Sequence, residues 1–119
     1  MAAWTREPSI HYFGDGQQTR DFVNVLDVAQ SNYKVALTEG VSGAFNLGSA
    51  TSVTINHLVE LMYEAVGQTP QIKYDLPRPG DVRDSLADVS AASAAFGYQP
   101  TVSLADGLIE YLTWSQGVL

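Results

Sequence analysis

The stretch Tyr12-Phe13-Gly14-Asp15-Gly16-Gln17-Gln18-Thr19-Arg20-Asp21-Phe22-Val23-Asn24-Val25-Leu26-Asp27 decides the fold. An aromatic pair runs into a Gly-Asp-Gly turn, a lone arginine comes next, and a short apolar strand leads to a helix cap. Asp15-Gly16 suits a tight turn, because glycine accepts positive φ without steric cost. Gly14-x-Gly16-x-x-Thr19 imitates a dinucleotide fingerprint but lacks the third glycine. The residues after it read as a strand, where a pyrophosphate site needs a helix N-terminus. From Arg20 to Leu26 the sequence alternates, with Phe22 and Asn24 on one face and Val23 and Val25 on the other. Asp27 is the expected N-cap, with Gln30 at the capping-box position. The helix it opens runs to about Thr38, with Ala29, Tyr33, Ala36 and Leu37 on one face and Gln30, Lys34 and Thr38 on the wet one.

Outward from this stretch, Ser9 to Phe13 reads as a short strand on the N-terminal side. On the other side, Gly40 ends the helix and Ala44-Phe45-Asn46-Leu47 forms a strand closed by Gly48-Ser49. Thr54 caps a second helix in which Ile55, Leu58, Val59, Met62 and Val66 recur at helical spacing, and Gly67 stops it. His57 in its first turn is exposed or capping rather than a metal ligand. Gln71 to Tyr74 reads as a strand. Pro77 and Pro79 exclude regular structure around Arg78. Asp88 caps a short alanine-rich helix ending at Phe96-Gly97. Ser103 caps the last helix, with Asp106 at its third position and Leu104, Leu108, Tyr111 and Leu112 on its inner face.

A chain of 119 residues predicts one domain, residues 1–119. Folding should bury roughly two thirds of its unfolded surface, enough for one core. Zero cysteines exclude a disulfide framework and thiolate chemistry, which fits the cytoplasm. No apolar run approaches the roughly 20 residues of a membrane span, and Met1 to Pro8 lacks the features of a secretory signal. The net charge of -7 argues against nucleic acid, whose binders neutralise phosphates with clustered Lys and Arg. The basic residues are Arg6, Arg20, Lys34, Lys73, Arg78 and Arg83, and Arg20 and Arg78 lie beside glycine turns. They either build a local anion site or pair with neighbours such as Asp21 and Asp81, and the residues by themselves favour the pairing. His11 and His57 do not make a familiar metal set.

The opening stretch resembles the signature that begins the substrate-binding half of the nucleotide-sugar epimerases and dehydratases, the extended short-chain dehydrogenase/reductases of UDP-glucose 4-epimerase type. A second stretch, Arg78-Pro79-Gly80-Asp81-Val82-Arg83-Asp84-Ser85-Leu86-Ala87-Asp88, resembles the matching signature near the end of those enzymes. The likeness covers nearly the whole chain but corresponds to the last third of such an enzyme. It implies an α+β lobe of about four helices and short strands, in which the helix from Asp27 and the strand Ala44–Leu47 are the remnant helix and edge strand of a Rossmann sheet. The family's catalytic marks are a glycine fingerprint for NAD and a Tyr-x-x-x-Lys. Gln30 stands four residues before Lys34 and Thr69 four before Lys73, so neither mark occurs in the chain. No catalytic and no cofactor-binding residue is therefore expected, with NAD belonging to the full-length family.

The resemblance assigns the binding residues. The main chain at His11 and Phe13 meets the uracil edge, and the Phe13 ring walls the base. Arg20 and Arg78 grip the diphosphate, and Asp81 accepts from the ribose hydroxyls. Tyr12 and Phe22 are expected to pack in the core, and Arg83, Ser85 and Asp88 to be structural. The chain is thus expected to be the nucleotide-sugar-binding portion of an NAD-dependent epimerase, inactive as an isolated chain and holding a UDP-sugar weakly. The alternatives are a non-catalytic binding or interaction module, or a subunit complementing a separate NAD-binding chain. The 27–47 region, short of neighbours, is expected to make a homo-oligomer.

Overall fold

The computed structural model describes residues 9–118, so the N-terminal segment read as lacking a secretory signal, with Arg6, lies outside it. The elements are β1 (Ile10–Phe13), β2 (Thr19–Arg20), α1 (Val25–Leu37), β3 (Val53–Thr54), α2 (Ile55–Val66), β4 (Ile72–Asp75), α3 (Ser90–Phe96) and α4 (Leu104–Val118). This is the small mixed lobe of helices and short strands that the sequence implies. β1 pairs in parallel with β4, from Ile10 opposite Ile72 to Phe13 opposite Asp75. β2 pairs antiparallel with β3, Thr19 opposite Thr54 and Arg20 opposite Val53. On its other side β2 meets the segment after β4, where the Thr19 amide donates to the Arg83 carbonyl at 2.9 Å and the Thr19 hydroxyl to Asp84 at 2.9 Å.

The apolar interior gathers into two clusters where one core is expected. Tyr12, Val59 and Tyr63 lie under the β1–β4 ladder with Ile10, Ile55 and Ile72 around them. Ala92, Phe96 and Tyr98 form the second cluster, covered by Val35, Phe45 and Leu47 among others. The molecule is accordingly flat, 52 × 36 × 17 Å, with a radius of gyration of 16.9 Å. A compact chain of this length would have roughly 13–14 Å.

Asp21 ties the segment after β2 to two distant parts of the chain. Its carboxylate accepts from the Ser49 amide at 2.8 Å, from the Ser49 hydroxyl, and from the Ala87 amide at 3.3 Å. The Tyr98 hydroxyl donates to the neighbouring Gly48 carbonyl. A Cβ on Gly48 would stand 2.8 Å from that of Ala87 and collide with Asp21, so the junction closes only around a glycine.

The helix ends obey local chemistry. Thr54 accepts from the His57 amide at 3.1 Å, Gly67 ends α2 at φ +69°, and Ser103 accepts from the Asp106 amide at 3.1 Å. The N-cap of α3 is Val89, without a side-chain cap bond, and not the expected Asp88, which lies one residue earlier and accepts from the Ser90 amide at 2.9 Å. Leu112 of α4 is buried, while Tyr111 is 47% exposed.

Other expectations change as well. The N-cap of α1 is Asn24, which accepts from the Leu26 amide at 2.8 Å, and not Asp27. Of the strand read over Arg20–Leu26 only Arg20 lies in β2, residues 21–24 having no regular structure and Val25 and Leu26 opening α1. Ala44–Leu47 is not a hydrogen-bonded strand among the described residues, although Phe45 and Leu47 turn toward Phe96 and Ala44 and Asn46 toward solvent. A strand's alternation survives there because the cluster holds one face, but no partner supplies the ladder. No helix among the described residues is long and apolar enough to cross a membrane.

Asp27 instead faces inward, 3% exposed, and accepts from the Thr101 hydroxyl at 2.7 Å and amide at 3.0 Å and from the Val102 amide at 3.2 Å. Burial by itself would raise its pKa, but these donors outweigh burial and hold the carboxyl below its usual range. The stabilisation is present above the unfolded-state value of about 4 and is lost as pH falls toward the lower folded value. Asp27→Ala should therefore cost about 1–3 kcal/mol near pH 7, because three donors lose their acceptor. Urea denaturation across pH should show the gap to the parent narrowing below pH ~4.

Candidate functional site

β1 and β4 end side by side, so the turn after Phe13 and the loop after Asp75 leave the ladder at the same edge. The Gly14 amide donates to the Asp75 carbonyl at 3.0 Å and carries the pairing one step further. Between the turn and the loop opens a cleft of about 690 Å³, with Phe13, Gln18, Arg78, Asp81 and Arg83 in its wall. Arg78-Pro79-Gly80-Asp81 forms a turn whose Asp81 amide donates to the Arg78 carbonyl at 3.2 Å. Gly80 takes φ +80°, and proline before a positive-φ glycine is the type II pattern. The glycine is thus needed for the turn itself, and it fixes Arg78 and Asp81 three residues apart on one loop.

The Arg78 guanidinium carbon lies 3.8 Å from the centre of the Phe13 ring. A cation over an aromatic face is attracted by the ring quadrupole. Phe13 remains 40% exposed. Gln18 donates from its amide nitrogen to the Phe13 carbonyl at 3.3 Å and braces the strand end. Tyr12, one residue back, is buried, and burial pushes its hydroxyl up to about 12, so it stays protonated and acts as packing. The turn sits on this ring at Gly16, where φ is +74° and a Cβ would come within 2.6 Å of it.

Asp15 and Arg83 face each other across the cleft. Arg83 donates from Nη1 to Oδ1 at 2.8 Å and from Nη2 to Oδ2 at 3.1 Å, a two-point fork on one carboxylate. Asp15 Oδ1 also accepts from the Gln17 amide at 2.9 Å. The guanidinium bonds first, and the Gln17 amide second, hold the Asp15 carboxyl down at about 2. The same contact raises Arg83 further above its ordinary value.

Of the five residues expected to bind a nucleotide sugar, Phe13, Arg78 and Asp81 come together in this cleft. Arg20 does not line it. Its guanidinium donates to the Thr19 carbonyl at 2.7 Å and the Arg83 carbonyl at 3.4 Å, behind the loop. His11 sits on β1 with Nδ1 2.9 Å from Asp75 Oδ2, at the margin of the site. Arg83, expected to be structural, Asp15, expected only as a turn residue, and Gln18 also line the wall. The available signal was an acid in the glycine turn and a second arginine five residues after Arg78.

The residues present do not fit NAD. The Gly14-x-Gly16 turn joins β1 to β2 and opens no helix, and no Tyr-x-x-x-Lys occurs in the chain. Among the described residues no group of three His, Cys, Asp or Glu could hold a metal ion.

The sequence pattern of the family described as GDP-mannose 4,6 dehydratase matches residues 2–111. A putative UDP-glucose 4-epimerase of Methanocaldococcus jannaschii is 32% identical over 102 residues, which cover 86% of this chain and 32% of that protein. The UDP-glucose 4-epimerase of Mycolicibacterium smegmatis is 35% identical over 96 residues, covering 81% of this chain and 31% of that one. The crystal structure of the Thermotoga maritima UDP-glucose 4-epimerase with UDP-glucose superposes with a TM-score of 0.84 at 36% identity, over 92% of this chain and 35% of that chain. The chain thus spans about a third of the length of the curated relatives it matches.

The Asp15–Arg83 contact has a direct reading in solution. Carbon NMR of the Asp15 carboxyl should titrate near pH 2 in the parent. In Arg83→Gln the midpoint should rise toward the ordinary aspartate value of about 3.9. The ion pair is present at every pH above that range and is lost as pH falls through the folded value.

Proposed function

The chain belongs to the family described as GDP-mannose 4,6 dehydratase, within the NAD-dependent nucleotide-sugar epimerases and dehydratases, and on that premise we propose that it forms the nucleotide-binding surface of such an enzyme without carrying the catalytic groups. The observation that supports this most is the Arg78 cation on the Phe13 ring, 3.8 Å away, with Asp81 on the same turn in one cleft. These three side chains match the three parts of a nucleoside diphosphate. A flat apolar ring walls a base, a guanidinium fork meets phosphate oxygens, and a carboxylate accepts from vicinal ribose hydroxyls. The main chain at His11 and Phe13 is the edge offered to the base. Arg20 enters as a diphosphate ligand by family likeness, from behind the Arg83 carbonyl. UDP is the nucleotide we assign, since relatives named as UDP-hexose epimerases are among those matched. Cytoplasmic placement belongs to the same reading.

None of these residues moves a proton or a hydride. Their part is to hold the nucleotide still, so that the energy of binding its remote half orients the sugar for chemistry elsewhere. Isolated, the chain should hold UDP at about 1 mM, or about 4 kcal/mol. Amide NMR titration should show shifts around Phe13 and Arg78, and Arg78→Ala should weaken them about tenfold. Shifts unchanged in that variant would remove Arg78 from the site. Turnover of UDP-glucose with added NAD would overturn the non-catalytic reading.

A second reading is favoured by the outer face of α1. Val25 is 76%, Tyr33 70% and Leu37 68% exposed, one apolar stripe without cover among the described residues. Leaving such side chains wet forfeits roughly 1.5–3 kcal/mol each. We propose that a second copy of the chain covers the 27–47 region in a homo-oligomer. Sedimentation over a concentration range should show association that Tyr33→Asp and Leu37→Asp together abolish. A parent that stays monomeric at high concentration would defeat this reading.

A further inference from the structure

We propose that Arg83 is a second anion-binding arginine of the cleft, and that the Asp15 carboxylate occupies its fork until a diphosphate displaces it. The inference rests on the nucleotide-diphosphate reading above and extends it to a pair of residues given no part in binding there.

The fork is already arranged for an anion. Both Arg83 nitrogens point at two oxygens of one carboxylate, at 2.8 and 3.1 Å. Two oxygens of a phosphate offer the same two-point pattern with more negative charge. The pair is also easy to exchange. Its side chains are 59% and 57% exposed, and ion pairs so open to water contribute little net stability.

Neither partner is stranded by the exchange. Asp15 keeps the Gln17 amide at 2.9 Å and gains water. The Arg83 backbone stays fixed, because its carbonyl accepts from the Thr19 amide at 2.9 Å and from Arg20 at 3.4 Å. The side chain can therefore swing while its base does not move.

The charge in the cleft favours the same conclusion. Its wall holds Asp15, Asp75 and Asp81 against Arg78 and Arg83, in a chain of net charge -7. With Arg83 paired to Asp15, Arg78 is the one guanidinium of the cleft wall left for the two phosphates, Arg20 standing behind the loop. Releasing Arg83 supplies the second, on the loop that already carries Arg78. Asp15 then acts as a built-in competitor of the ligand. Removing the Asp15 charge should therefore strengthen anion binding, and removing the Arg83 fork should weaken it.

The test is NMR titration at low salt of the parent chain, Asp15→Asn, Arg83→Gln and Arg83→Lys, with inorganic pyrophosphate, UDP and uridine as probes. Asp15→Asn keeps an oxygen for the Gln17 amide, and the amide spectrum of each variant reports that it is folded. Asp15→Asn should bind pyrophosphate and UDP about three- to tenfold more tightly. Arg83→Gln should bind both about tenfold more weakly, and Arg83→Lys should recover part of the loss. Uridine should be indifferent to all three. Pyrophosphate and UDP affinities that fall or stay level in Asp15→Asn, or that survive Arg83→Gln, overturn the proposal, as does the absence of saturable pyrophosphate binding in every variant. If pyrophosphate responds as expected while UDP binds no better than pyrophosphate, the anion site stands and the nucleotide reading falls.

Discussion

Phe13 stands opposite Asp75 in a parallel ladder of two strands, and the cleft is a consequence of that register. A slip of one residue would turn Tyr12 out of the Val59–Tyr63 cluster and Phe13 into it, because successive strand side chains point to opposite faces. The ring that Arg78 covers would then be core. Two short parallel strands hold little by their own hydrogen bonds. The register is therefore set from beneath, by Tyr12 packed on α2 and by Ile10 and Ile72 beside it. The apolar cluster decides which aromatic ring of the pair is left for a ligand.

The loop from Pro77 to Asp84 carries both arginines of the cleft and Asp81, and has no regular structure of its own. It is held at both ends. The β4 ladder fixes its start, and Thr19, donating to the Arg83 carbonyl and to the Asp84 carboxylate, fixes its finish. Inside that span the Pro79-Gly80 turn sets the spacing of Arg78 and Asp81. Polar groups thus make a stiff frame around side chains that remain exposed, which is what reversible binding of a charged, well-hydrated molecule requires. Asp21 and Asp27 make comparable anchors deeper in the fold, each gathering donors from segments far apart in sequence.

Local signals were legible in the sequence and distant ones were not. Thr54, Gly67 and Ser103 mark helix ends through contacts within a few residues, so their chemistry can be read off the chain. Asn24 and Asp27 are both competent caps at the head of one helix. What decides between them is Thr101, whose hydroxyl and amide draw the Asp27 carboxylate inward across 74 residues. Arg78, Phe13 and Asp81 were legible through the likeness of two motifs to a known family. Arg83 lies in the same motif, yet its partner Asp15 is 68 residues away, and no spacing rule connects a turn to a loop at that distance. The strand expected at Ala44–Leu47 has the right alternation, but a ladder is a property of two segments.

The contacts that make the cleft are also long closures of the chain. The backbone hydrogen bonds of α1 and α2 close within single turns, whereas both helices pack against segments far away in sequence. His11 and Asp75, at the two strands of the ladder, are separated by 64 residues, and closing a loop of that length costs chain entropy before any long-range contact repays it. The Asp21–Ala87 and Asp27–Thr101 contacts span 66 and 74 residues and carry a similar cost. A molecule that bound the turn and the loop together would add to that closure only the free energy of its own binding.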